Sequence, residues 1–156
     1  MNGQIVNRTL VVVVSAVACA VLTPIAAADA VFHTEHLHLT PMGAEPLRSG
    51  FVQDIKAEGP QIYAHELFVL NGALPGASYT VTRNFFFLDP ECDGSLVFPS
   101  DLAQLATNAG GNARADIVVS PDEVAGFQGV HGVMWTVKNA ARVVVYRTDC
   151  TAVTLD

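Results

Sequence analysis

From residue 31 onward the chain has no sustained apolar repeat at helical spacing. Short apolar alternations recur instead, separated by Gly, Pro, Asn and Asp, the pattern of successive strands and turns in an all-β domain. Candidate strands are Phe32 to Leu39, Phe51 to Ala57, Ile62 to Leu70, Tyr79 to Leu88, Ala113 to Val119, Val130 to Lys138 and Arg142 to Cys150, with a tail strand Ala152 to Leu155. Neighbouring side chains on a strand point to opposite sides, so the alternation assigns faces. Tyr79, Val81, Phe85 and Phe87 share one face, and Thr80, Thr82 and Asn84 the other. Val133, Trp135 and Val137 point inward together, while Val144, Tyr146, Thr148 and Cys150 form a single face that puts Cys150 on the buried side. Two short helical turns are expected between strands. Ser120-Pro121-Asp122-Glu123 is a capping-box pattern with Pro at the first helical position and Gly126 as a stop, and Ser100-Asp101 ahead of Leu102, Leu105 and Ala106 is a second start signal.

The first thirty residues break this pattern. A polar start carrying Arg8, an apolar run from Leu10 to Leu22, Thr23-Pro24 and the small-x-small site Ala28-Asp29-Ala30 make a cleavable secretory signal peptide. The run covers thirteen residues, whereas a spanning helix needs roughly 20. Ala16-Val17-Ala18-Cys19 loosely matches a lipoprotein box, but it lacks the large aliphatic residue at its first position. Cleavage after Ala30 leaves residues 31–156 as one domain with no membrane span, secreted or held in a cell envelope; cleavage after Ala28 is the alternative.

Composition narrows the partners. Removing Arg8 and Asp29 leaves seven Lys and Arg against fourteen Asp and Glu, so the net charge stays at −7. That balance, with no basic stripe, argues against nucleic acid and anionic lipid and leaves an extracellular protein or glycan as the expected partner. Arg outnumbers Lys six to two and Ala and Val are abundant, the usage of a GC-rich bacterial genome. With Cys19 in the leader, Cys92 and Cys150 are the only remaining thiols, and in an oxidising compartment such a pair is expected to bond.

Leu74-Pro75-Gly76-Ala77-Ser78-Tyr79-Thr80-Val81 resembles the fibronectin type III and related immunoglobulin-like domains, where Pro-Gly-x-x-Tyr leads into a strand and the tyrosine hydroxyl bonds back to the chain as a tyrosine corner. The resemblance covers eight residues, and its Leu-to-Tyr spacing is one shorter than the usual fibronectin form. It implies an immunoglobulin-like antiparallel β-sandwich of seven or eight strands, with Tyr79 at the corner, and it carries no activity with it.

Candidate chemistry centres on histidine. His36 and His38 project from one strand face two residues apart, next to His33 and Glu35, a spacing that lets two imidazoles reach one copper or zinc ion. His65 or His131 is the candidate to complete the set. Cleavage after Ala30 also makes Val31-Phe32-His33 the new amino terminus, whose amine, two amides and imidazole supply four nitrogens suited to square-planar copper(II) or nickel(II). Asp89, Glu91 and Asp93 before Gly94 begin like a calcium loop, but the twelfth position is Ser100 rather than Glu, which makes a plain acidic turn the better reading. His131, beside a core strand with no carboxylate near it in sequence, reads as structural.

No Gly-x-Ser-x-Gly, Ser-x-x-Lys, phosphate-binding glycine loop, His-Glu-x-x-His or paired-cysteine knuckle occurs. Catalytic groups can still assemble from distant residues, so a hydrolase built on His131 or His65 with a Ser and a carboxylate stands third, behind a non-enzymatic binding or envelope module, whose contact surface is expected around Phe85 to Phe87, and an extracellular copper- or zinc-binding protein.

Overall fold

The computed structural model describes residues 33–56, 64–94 and 97–155; the leader and the expected amino terminus through Val31 and Phe32 lie outside them. The chain is all-β, with two antiparallel sheets. In order it forms β1 (His33–His38), β2 (Thr40–Pro41), β3 (Ser49–Lys56), β4 (Ala64–Asn71), β5 (Ser78–Phe86), β6 (Val97–Ala106), β7 (Ala113–Val119), one helical turn α1 (Pro121–Val124), β8 (Gly129–Lys138), β9 (Val144–Arg147) and β10 (Thr151–Leu155). The first sheet runs β1-β3-β4-β7. The second runs β2-β9-β8-β5-β6, with β10 also paired to β8. Among the described residues no helix is long and apolar enough to cross a membrane.

Strand alternation builds the core. Ala64, Phe68 and Leu70 are buried along β4 while His65, Leu67 and Val69 on its other face are half-exposed. Val133, Trp135 and Val137 are buried together on β8, as their parity requires. Val52, Phe68 and Leu70 of the first sheet and Tyr79, Val81, Trp135 and Tyr146 of the second belong to one contiguous cluster. The two sheets therefore share a core, and burying aliphatic and aromatic surface at about 25 cal/mol per Å² is its main driving force.

Two expectations are corrected. Ser100-Asp101 starts no helix. Residues 97–106 are β6, laddered against β5 from Ser78↔Ala106 to Phe86↔Val97, and this long hairpin pairing outweighs a weak capping signal. β6 is an edge strand, which is where Pro99, with no N–H to donate, is tolerated. The face assigned to Val144 also fails, since Val144 is exposed while Val145 and Tyr146 are both buried. The ladder shifts there, from Val137↔Tyr146 to Lys138↔Val144, so Val145 is the extra residue of a bulge. Cys150, beyond the end of β9, is half-buried rather than inside.

Cys92 and Cys150 are joined, their Cα atoms 5.9 Å apart, tying the β5–β6 connection to the break between β9 and β10. The acidic turn that carries Cys92 is held by its own backbone: Gly94 N–H donates to Asp89 Oδ2 (2.7 Å) and Cys92 N–H to the Asp89 carbonyl (3.3 Å). This turn lies directly on Gly132 of β8. A Cβ there would collide with the Asp89 carbonyl and the Cys92 sulfur, which explains a glycine inside a strand.

Gly132→Ala is expected to cost about 1–3 kcal/mol, the usual penalty of overpacking, read as a lower urea midpoint. Gly43→Ala serves as the control, because a Cβ at Gly43 meets nothing within 4 Å. Equal midpoints for the two variants would show that the turn does not press on β8.

Candidate functional site

Three charged residues sit at inward positions of otherwise apolar strands. Asp54 shares the inward face of β3 with Val52, Glu66 that of β4 with Ala64 and Phe68, and Arg83 lies between Val81 and Phe85 on β5. Asp54 and Glu66 are direct partners across the β3–β4 ladder and are only 3% and 2% exposed. Glu66 receives two donors from the other sheet: Arg83 Nη1 to Oε1 at 2.8 Å and Trp135 Nε1 to Oε2 at 2.9 Å. Arg83 and Trp135 are themselves cross-strand partners on β5 and β8. One carboxylate thus clamps a facing pair of strands. A charge-assisted bond and a buried indole donor together offset the cost of holding the ion out of water.

Around this clamp lies a cavity of about 120 Å³. Asp54, Glu66 and Arg83 line it from the strands, and Phe85, Trp135 and Val153 add apolar wall. Phe98 from β6, Phe127 and Glu123 add to the lining, and Phe98, 46% exposed, carries one wall to solvent. The α1 turn places the last two of these. Glu123 Oε1 accepts the Ser120 N–H at 3.2 Å, closing the capping box, and Phe127 N–H donates to the Val124 carbonyl at 3.0 Å.

Beside the cavity the aromatic rings close over His131. Phe85 and Phe87 lie 4.7 and 5.2 Å from its imidazole, centroid to centroid, and Phe127 packs edge-on against both phenylalanines. Phe86 is buried and Phe85 and Phe87 are half-buried, so the aromatic surface expected at Phe85 to Phe87 forms only in part; Phe98 is the more exposed ring, at 46%. His131 is fully buried, and its Nδ1 accepts the Leu88 N–H at 2.9 Å. Nε2 has no hydrogen-bond partner of normal geometry among the described residues. Burial pushes this imidazole below its ordinary pKa, and the Gln128 backbone opposes the shift in part.

The remaining histidines lie apart from this site. His36 and His38 share the outer face of β1, their rings 5.3 Å apart, and His36 also packs on Phe51 at 4.2 Å. His65 is on the same sheet but two strands away, with Nε2 3.3 Å from Asp116 Oδ2, and His131 belongs to the other sheet. Val31, Phe32 and the His33 side chain lie outside the described residues. Among the described residues no group of three or more His, Cys, Asp or Glu is placed to hold a metal ion.

At the opposite end of the core the Tyr79 hydroxyl accepts the Leu74 N–H (3.3 Å), the bond back to the chain that a tyrosine corner makes, and donates to Glu45 (2.9 Å). Tyr146 lies 3.4 Å from it, hydroxyl to hydroxyl, and donates to the Pro46 carbonyl at 2.8 Å. Burial raises the pKa of both phenols.

No family model matches the chain, and no curated protein or solved structure is significantly similar to it. The site therefore rests on its own geometry. Its three charged residues carried a signal in the sequence, since each interrupts an apolar face at the inward parity.

His131 makes stability pH-dependent. With its folded pKa lowered, the unfolded chain binds more protons below about pH 6.5, so stability is full above that value and falls as pH drops through it, by at most about 1.4 kcal/mol per pH unit. His131→Gln should flatten the urea-unfolding free energy between about pH 6.5 and 5. An unchanged slope would assign the acid sensitivity elsewhere.

Proposed function

We propose that this chain is an exported β-sandwich protein that binds a small ligand in the cavity between its sheets. The cavity carries the reading: a largely apolar, partly aromatic chamber with a few fixed polar groups is the usual build of a ligand pocket. Binding rather than turnover is favoured because Glu66 already accepts a bond at each oxygen, from Arg83 and Trp135. The leader pattern and the Cys92–Cys150 pair support export. Neither His131 nor His65 lines the cavity beside Ser100, so the arrangement of a hydrolase finds no support among the described residues.

The sandwich is supported by strand order. β3-β4-β7 and β5-β8-β9 match the A-B-E and C-F-G orders of immunoglobulin-like domains, with β1 added beside β3 and β6 beside β5. Two features depart from that family. The Tyr79 corner opens β5, the strand equivalent to C, instead of F, and the disulfide links two connections of one sheet instead of bridging B to F. The likeness is thus one of architecture.

Trp135 is the only tryptophan in the chain and lines the cavity, so its fluorescence reports occupancy directly. Titrating the exported protein with benzylamine, benzyl alcohol and benzoate should give a saturable change with at least one of them. Ser100→Tyr, an exposed position on the cavity lining, should abolish it. No saturable response into the millimolar range from any probe, with the wild-type protein folded, would contradict the proposal.

A further inference from the structure

Resting on the cavity as the ligand site, we infer that access to it is controlled by a short flap, residues 125–128, which Phe127 anchors and which opens when His131 takes up a proton. The backbone supplies the hinges. Gly126 and Gly129 stand at φ +94° and +115°, conformations that glycine adopts without strain, one on each side of Phe127 and Gln128. Little else holds the segment. Ala125, Gly126 and Gln128 are exposed, and a Cβ at Gly126 would meet nothing within 4 Å. Phe127 is half-buried, with its ring 5.4 Å from Phe85, 6.1 Å from Phe87 and 6.3 Å from Phe98, centroid to centroid. The same residue lines the cavity, so lifting it removes part of that wall.

His131 is the latch. Its Nδ1 accepts the Leu88 N–H at 2.9 Å, so the neutral ring carries its proton on Nε2. A second proton must go to Nδ1, where two N–H donors then face each other and the bond to Leu88 is lost. The imidazolium would also be fully buried against Phe85 and Phe87, whose rings attract a cation but replace only part of the hydration that a buried ion gives up. No carboxylate on the surrounding elements pairs with it. Asp89 Oδ2 accepts the Gly94 N–H, Glu91 and Asp93 are exposed in the same turn, and Glu123 on α1 accepts the Ser120 N–H. Arg83 of β5 is paired with Glu66, Lys138 at the far end of β8 lies 3.9 Å from Asp101, and residues 151–155 of β10 carry no charge. On the Leu88 side the turn is tied by the disulfide and rests on Gly132, whereas on the other side Gly129 lies so close that a Cβ there would be 3.9 Å from Nε2. The hinged side is therefore the one that yields to let water reach the ion. Burial holds the closed ring below its ordinary pKa, so the open form binds the proton more tightly. The closed form is favoured above about pH 6.5, and below it the balance moves toward the open form by at most about tenfold per pH unit.

The test reads entry to the cavity without a ligand. Trp135 lines the cavity and is only 1% exposed, so acrylamide quenching of its fluorescence reports the opening. In the exported protein, with the far-UV circular dichroism unchanged, the quenching constant should rise severalfold from pH 7 to pH 5. His131→Gln, whose side-chain oxygen can still accept the Leu88 N–H, should quench weakly at both pH values, and Phe127→Ala strongly at both. Any of the probes benzylamine, benzyl alcohol and benzoate that binds at pH 7 should bind severalfold more weakly at pH 5. Quenching that is flat in the wild type, or a rise that persists in His131→Gln or Phe127→Ala, overturns the flap, and a probe affinity that does not change with pH overturns its control of the site. If none of the three probes binds at pH 7, the ligand site falls and the access claim with it, while the quenching still decides the flap itself.

Discussion

The carboxylate of Glu66 is the interaction on which the rest of the interior depends. It projects from the first sheet and receives Arg83 and Trp135, two facing residues of the second, at 2.8 and 2.9 Å. A buried ion without partners is costly enough to unfold a small domain, so these three side chains stand or fall together. Because the clamp occupies the inter-sheet space with polar groups of fixed length, apolar side chains cannot close completely around it. The cavity is the space that remains, and its charged floor follows from the same geometry.

The two ends of the core solve different problems. At one end the phenols of Tyr79 and Tyr146 hydrogen-bond to Glu45, Pro46 and the Leu74 amide, pinning residues 42–48 over the core. At the other, the disulfide and the Asp89 turn press on Gly132, and Phe85, Phe87 and Phe127 enclose His131. That second end holds the cavity, beside a covalent link and an aromatic cluster. His36 and His38 lie outside it on the exposed face of β1.

Most strands were legible because alternation is local. β7 coincides with the candidate Ala113 to Val119, and the Ser120 capping box produced its helical turn. Residues 97–106 were misread because their strand character comes from pairing with β5, which no short window contains. The bulge at Val145 reversed the parity of β9 for a similar reason, since a register shift belongs to two strands at once. The site was not legible: the candidate residues were the histidines, and none of them lines the cavity. Asp54, Glu66 and Arg83 each occupy an inward position, which marks them as buried charges, but their meeting point is not written in spacing: Glu66 and Trp135 are 69 residues apart in sequence and become neighbours only when both sheets form.

The most direct measurement of this clamp is a double-mutant cycle by urea unfolding, with Glu66→Gln, Arg83→Met and the double variant. If Glu66 and Arg83 act as one unit, each single variant loses stability and the pair shows a coupling energy of about 1–3 kcal/mol, the range for residues that share a buried polar contact. Effects that add within about 0.5 kcal/mol would mean that the two side chains are energetically independent, and that the interior is held by apolar packing alone.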